Sequence, residues 1–231
     1  KSSGTLPNTG TDYFLFGNKV EAVAKENNIL FSVNWVEGQK TGFFLDQREN
    51  RKLLGEFSKG KKVLNTFCYT GGFSIYAMSA GAELVTSVDI SQKAVDLAAS
   101  NMELNFPNAN HKAVADDVFN FMKEHTQQYD VIVLDPPAFA KSIKSKHTAT
   151  QAYKRLNIAG LKALAPNGIL FTFSCSQVID DVLFYNTVAA AAIESGRNIR
   201  VLHKLGQGPD HPTNIYHPEG HYLKGLVLFV E

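Results

Sequence analysis

Seven short apolar runs, separated by stretches of helical period, constrain what this chain can fold into more than any other feature. They fall near residues 62–66, 84–89, 111–115, 130–134, 168–174, 199–205 and 225–230. Runs of this length suit strands covered on both faces, and strands that alternate with helices build a mostly parallel sheet. The stretches between them supply the helices. Ser91 can cap one that runs through Ala94, Leu97, Ala98 and Met102 and ends at Pro107 and Asn108. Asp180 and Asp181 begin another, with Leu183, Phe184, Val188 and Ala191 on its apolar side and Ser195-Gly196 as its stop. No internal repeat or low-complexity tract breaks the pattern.

Residues 1–46 follow a different period. Val20 to Ala24 and Ile29 to Trp35 alternate apolar and polar side chains around Lys25-Glu26-Asn27-Asn28, which predicts a hairpin. Gly38-Gln39-Lys40-Thr41-Gly42 supplies a second turn before Phe43-Phe44-Leu45. The expected organisation is a small β-rich N-terminal subdomain over 1–46 and an α/β domain over 47–231, joined by a helix from about Gln47 to Phe57. A length of 231 residues with 44% hydrophobic content fits one large core with such an appendage. No run approaches the ~20 apolar residues of a membrane span, and Lys1-Ser2-Ser3-Gly4-Thr5 has no signal-peptide character, so a cytoplasmic setting is expected. The start without Met is what a piece of a longer chain would show.

The chemistry-bearing residues sit where the apolar runs end. Asp130-Val-Ile-Val-Leu-Asp135-Pro136-Pro137 delivers a carboxylate and a stiff turn to a strand's C-terminal end, where open α/β sheets place ligands. Phe173-Ser174-Cys175-Ser176 delivers a thiol to another, and if the two strands are neighbours, Asp135 and Cys175 share one pocket. Cys68 and Cys175 are the two cysteines, too few for a disulfide framework or a tetrahedral zinc site; no metal is expected. After the first run, Phe67-Cys68-Tyr69-Thr70-Gly71-Gly72 is a glycine-bearing turn into a helix, whose exposed amides suit a carboxylate. The next run ends in Asp89-Ile90, an acid placed for ribose hydroxyls. The turn lacks three spaced glycines, which favours S-adenosylmethionine, a ligand with a ribose but no phosphate, over a dinucleotide. Asp117-Val118 then offers an acid for the adenine amino group.

The series Gly38 to Arg51, Asn65 to Ser74, Asp135-Pro136-Pro137-Ala138-Phe139, Phe173 to Ser176, and Asp210-His211-Pro212 with Tyr222-Leu223-Lys224-Gly225 resembles the bacterial methyltransferases that modify C5 of cytosine in large-subunit (23S) ribosomal RNA. The resemblance spans residues ~14 to 231. It implies a Rossmann-like seven-stranded class I methyltransferase sheet, its last strand antiparallel, with S-adenosylmethionine as methyl donor, S-adenosylhomocysteine as product and ribosomal RNA as partner. Family members commonly carry an N-terminal RNA-binding domain of the PUA type, which is not visible here. Some relatives place a second cysteine directly after the paired prolines; Pro137-Ala138-Phe139 lacks one. The oligomeric state stays open, a dimer being one option.

On that resemblance Cys175 is the nucleophile that attacks C6 of cytosine, and Asp135 the group that holds and polarises the base. Cys68 falls against the cofactor. The cofactor set becomes Phe67, Tyr69, Thr70, Gly71, Gly72, Asp89, Ile90, Asp117, Val118 and Asp135, with Gln47 and Arg48 from the segment that also holds Asp46 and Arg51. Pro136, Pro137 and Phe139 face the substrate, Phe139 by stacking on the base. A net charge of +1 makes no global case for nucleic acid, but Lys141, Lys144, Lys146, His147, Lys154 and Arg155 form a basic loop after the Asp135 turn that can grip phosphates. Two other readings remain: N-methylation of guanine or adenine through the Asp135-Pro-Pro-x-Phe turn without a covalent nucleophile, and a non-enzymatic RNA-binding factor.

Overall fold

The structure, a computed structural model, describes residue 17, residues 19–36, residue 38, residues 42–140 and residues 142–231. The first elements among the described residues are the hairpin strands β1 (Glu21–Glu26) and β2 (Ile29–Asn34). Its turn is two residues, Asn27-Asn28, narrower than the four expected, because both asparagines take positive φ (47° and 67°) as a primed turn demands. Glu26 therefore belongs to the strand and its side chain points inward. Ile29, Phe31 and Val33 bury the alternate face of β2.

α1 (Arg48–Glu56) leads to β3 (Lys62–Thr66), α2 (Gly72–Ser79), β4 (Leu84–Asp89), α3 (Gln92–Asn105) and β5 (His111–Ala115). α4 (Val118–Glu124), β6 (Tyr129–Leu134), α5 (Lys146–Ala163), β7 (Leu164–Ser174), α6 (Asp181–Ser195), β8 (Ile199–Leu205) and β9 (Lys224–Val230) complete the order. All seven expected runs are strands of one sheet, ordered β5-β4-β3-β6-β7-β9-β8, with β9 antiparallel to both neighbours. The chain winds outward from β3 to β5 and then returns to the other side of β3, so the order reverses between β3 and β6. Ligands of open α/β sheets bind outside the strand ends at that switch.

Two hydrophobic clusters cover the faces. One joins α4, α5 and α6 to the sheet through Tyr153, Leu156, Leu170 and Phe184. The other joins the hairpin's Ile29, Phe31 and Val33 to Leu54, Ile75, Val131 and Phe173. The outer edge of β2 is closed by α3: Asn105 exchanges hydrogen bonds with the backbone of Leu30, and Asn101 Oδ1 accepts from Ser32 N at 2.7 Å. An edge covered this way offers no strand-pairing surface.

One element departs from expectation. The basic stretch after Asp135 is not a loop throughout, because Lys146 to Arg155 belongs to α5. Ala149, Tyr153, Leu156, Asn157, Gly160 and Leu161 recur at helical spacing and are buried, and this stripe sets the local structure while the lysines lie off it. Among the described residues no helix is long and apolar enough to cross a membrane, and no cluster of three or more His, Cys, Asp or Glu could hold a metal ion.

Candidate active site and its family

The cavity at the switch point has a volume of about 350 Å³. One wall is the turn from β3 into α2, where Phe67 (φ 53°), Tyr69 (φ 46°) and Gly71 (φ 81°) alternate into the left-handed region. Non-glycine residues held there cost roughly 1–3 kcal/mol each and persist only where their surroundings dictate the backbone. Here Cys68 N donates to Val88 O, Tyr69 N to Asp89 Oδ2 (3.1 Å), and Asn101 Nδ2 to Thr70 O (3.0 Å). The glycines answer to packing. A Cβ on Gly71 would sit 3.0 Å from Ala98 Cβ, and one on Gly72 would sit 3.1 Å from Arg51 Cδ. Gly71 thus faces α3 rather than the cavity, whereas Gly72, Phe67, Tyr69 and Thr70 line it.

The opposite wall joins the ends of β6 and β7, which pair in parallel with Leu134 beside Thr172. Asp135 and Cys175 follow these strands into the same cavity, together with Pro136 and Pro137. Gln47 Nε2 donates to both Asp135 oxygens at 3.1 Å. Asn50 Nδ2 in turn donates to Gln47 Oε1 (2.6 Å) and Gly206 O (3.1 Å), which fixes the orientation of the Gln47 amide. Burial, reinforced by the Asp46 carboxylate, pushes the Asp135 pKa up to about 7, against the opposing pull of Gln47 and Arg51. A group with that value exchanges its proton at neutral pH. The Cys175 thiol is partly exposed and lies 4.0 Å from Pro136 O. Cys68 is buried, and that burial together with the Asp89 charge pushes its thiol pKa far up, so it stays protonated.

A buried ion pair forms the third wall. Arg51, 2% exposed, holds Glu26 of the hairpin through Nε and Nη2 at 2.7–3.1 Å, donates to Phe44 O, and packs its guanidinium 4.6 Å from the Phe43 ring centroid. Tyr76 adds a hydroxyl to Glu26 Oε1 at 3.0 Å. The pair locks the hairpin against α1 beside the cavity. Removing either partner alone would leave a buried charge uncompensated. Phe43, Phe44, Ser91 and Leu223 also line the cavity.

Several expected site residues lie elsewhere. Asp117 accepts from Phe119 N and Asn120 N as the N-cap of α4, and Val118 is 3% exposed in the core; neither reaches the cavity. Phe139 is outside the cavity lining: its ring packs 4.7 Å from that of Tyr153, because the turn after the prolines points it at the apolar side of α5. Arg48 pairs with Glu49 (3.0 Å) and Asp210 (3.2 Å), bracing the loop before β9, and is outside the cavity lining. Lys144 is exposed outside the cavity, Lys146 pairs with Asp180 (3.5 Å), Lys154 pairs with Glu194 (2.6 Å), and Lys141 lies outside the described residues. Two of the six basic residues, Lys146 and Lys154, are thus paired with acids at the cap and in the body of α6. Gln47, Asp89, Ile90, Asp135, Pro136, Pro137 and Cys175 do converge on one cavity.

A family model described as S-adenosylmethionine-dependent methyltransferase matches residues 6–219. The chain belongs to that family. This methyltransferase is 42% identical over 232 residues to ribosomal RNA large subunit methyltransferase I of Aeromonas hydrophila, covering 99% of this chain and 58% of that protein. It thus spans a little over half the length of the relatives it matches. Among solved structures it superposes on a protein from Streptococcus mutans described as a SAM-dependent methyltransferase with a TM-score of 0.83 at 29% identity, covering 94% of this chain and 57% of that one. A methyltransferase complexed with SAH gives 0.80 at 31% identity, over 93% and 58% of the two chains. The cavity's own donor set fits S-adenosylmethionine. Asp89 keeps acceptor capacity beyond the amides of Tyr69 and Ser91, Ile90 offers an apolar face 75% exposed, and the first turn of α2 presents the positive end of its dipole.

Proposed function

We propose that this methyltransferase modifies C5 of a cytosine in large-subunit ribosomal RNA through a covalent adduct with Cys175. The observation behind this reading is the placement of a partly exposed thiol in one cavity with a carboxyl group of pKa about 7, while the second thiol is buried and held protonated. The name carried by the Aeromonas relative supports the RNA class. Asp89 would hold the ribose hydroxyls of S-adenosylmethionine, Ile90 its adenine face, and the Tyr69 to Gly72 turn its methionyl end.

C5 of cytosine is a weak nucleophile until something adds at C6. In the proposed sequence the Cys175 thiolate forms a bond to C6, and the displaced electron pair is delocalised over C5 and N3. Protonated Asp135, held by Gln47, donates to N3 and so stabilises the charge that develops there. S-adenosylmethionine supplies an electrophilic methyl group, which C5 takes up. Loss of the C5 proton to a base then re-forms the C5–C6 double bond, breaks the C6–S bond and returns the thiolate, while N3 returns its proton to Asp135. A base within an RNA helix must be flipped out to reach this cavity.

Methylation of an exocyclic amine is the alternative that the Asp-Pro-Pro turn invites. That chemistry needs no covalent nucleophile and would leave the partly exposed Cys175 thiol in the cavity without a role. Incubation of the protein with large-subunit rRNA and isotopically labelled S-adenosylmethionine, followed by digestion to nucleosides, is expected to place the label in 5-methylcytidine. Label in an N-methylated guanosine or adenosine would overturn the assignment.

A further inference from the structure

Lys224 opens β9 directly across from Ser174, the residue before Cys175. The residue is 2% exposed, and its ammonium donates to the carbonyl oxygens of Ser176 and Tyr222, each at 2.7 Å. Those oxygens satisfy protons but carry no formal charge. The acids at the start of α6 are engaged elsewhere: Asp180 accepts from Leu183 N and pairs with Lys146, and Asp181 pairs with His221 at 3.1 Å. A buried cation whose hydrogen bonds go to neutral carbonyls is costly to the fold, and such costs concentrate where a charge has work to do.

The ammonium's contact with the Ser176 carbonyl places a positive charge one residue along the chain from Cys175. Burial pulls the Lys224 pKa down, and Asp181, Cys175 and Asp180 pull it back up. Among the other ionisable groups around the thiol, the carboxylates oppose its ionisation and the neutral tyrosines do not. Asp135 shares its cavity, and Tyr153 and Tyr222 are both held protonated, chiefly by burial, with their pKa values also raised by Cys175. Tyr222 donates to Asp46 Oδ2 at 2.7 Å, so that carboxylate too stands behind the thiol. Against these carboxylates, Lys224 supplies positive charge at the carbonyl of the residue that follows the thiol.

We propose that Lys224 is the positioning residue for Cys175: its clamp on the Ser176 carbonyl fixes the loop that presents the thiol, and its charge favours the thiolate. The catalytic consequence rests on the nucleophile role given to Cys175, but the thiol's ionisation can be measured without RNA.

The test is the pH dependence of iodoacetamide alkylation at Cys175, located by mass spectrometry, in the wild type and in Lys224→Met, Lys224→Gln and Lys224→Arg. Wild type is expected to titrate below the unperturbed thiol value of about 8.5. Lys224→Met should titrate at least about one pH unit higher than wild type, making alkylation at pH 7 roughly tenfold slower. Lys224→Gln, which keeps a donor for the Ser176 carbonyl without the charge, should shift likewise, and Lys224→Arg should stay near wild type. Methyl transfer at pH 7 should fall in Lys224→Met and Lys224→Gln and be retained in Lys224→Arg. An unchanged titration in both neutral variants overturns the proposal, and so does a wild-type thiol pKa at or above about 8.5, a result that needs no variant to fold. Turnover retained in Cys175→Ala would sink the cytosine mechanism and leave the Lys224 proposal standing.

Discussion

Cys175→Ala is expected to lower methyl transfer by at least about a thousandfold, in the range seen when a covalent nucleophile is removed, while S-adenosylmethionine affinity by calorimetry changes by less than about threefold. The asymmetry follows from position. Cys175 stands at the end of β7, on the Asp135 side of the cavity, whereas the turn proposed to hold the cofactor lies across it between β3 and β4. The Ala variant should fold, since Cys175 is partly exposed and its Sγ makes a long contact of 4.0 Å to Pro136 O. Cys68→Ala is the contrasting variant: it opens a small void in a tightly packed turn but leaves the thiol chemistry in place. Turnover that survives in Cys175→Ala would transfer the assignment to a mechanism without an adduct.

Asp135→Asn is expected to lower kcat/KM by about 10²–10⁴-fold and to remove the alkaline limb of its pH profile. In the free enzyme burial holds the Asp135 pKa at about 7, so the protonated form that donates to N3 is present below that pH and lost above it. The contribution of protonated Asp135 to kcat/KM, which reports the free enzyme, should therefore be lost above pH 7. An amine-methylating enzyme that needs Asp135 as an acceptor would show the opposite sign, with activity rising as the carboxylate forms. The same shift protects the experiment from a trivial outcome. A carboxyl whose pKa is raised in the folded state costs stability above pH 7, a cost relieved as pH falls through 7, so the neutral amide should leave the protein at least as stable at pH 8. Thermal melting checks this alongside the kinetics.

Much of this architecture is legible residue by residue. Apolar runs end in Asp89, Asp135 and Ser174-Cys175, and a parallel sheet brings strand ends to one side, so the convergence of these groups follows from topology. What local pattern does not carry is partner choice. Asp117 reads as a ligand or, more often for a lone acid there, as a helix cap, and in the structure its Oδ1 caps α4 through the amides of Phe119 and Asn120. Phe139 follows the prolines as a stacking aromatic would, yet the apolar face of α5 captures it. Lys146 and Lys154 look like a phosphate grip, and no local pattern shows that the fold sets Asp180 and Glu194 beside them. Glu26 gives no local sign of its role, because its partner Arg51 lies 25 residues on and meets it only when a two-residue turn keeps Glu26 in the strand. Arg51, not Arg48, is then the buried guanidinium at the cavity.

The most direct test of covalent catalysis at C5 uses RNA in which cytidine is replaced by 5-azacytidine. Nitrogen at position 5 carries no proton to lose, so the thiol that has added to C6 cannot be expelled and the enzyme stays attached to its RNA. The wild-type protein with S-adenosylmethionine is expected to form a denaturation-resistant protein–RNA adduct, with mass spectrometry placing the nucleotide on Cys175 and Cys175→Ala forming none. An adduct mapped to Cys68, or methylation of unsubstituted rRNA without any adduct on the substituted RNA, would contradict it.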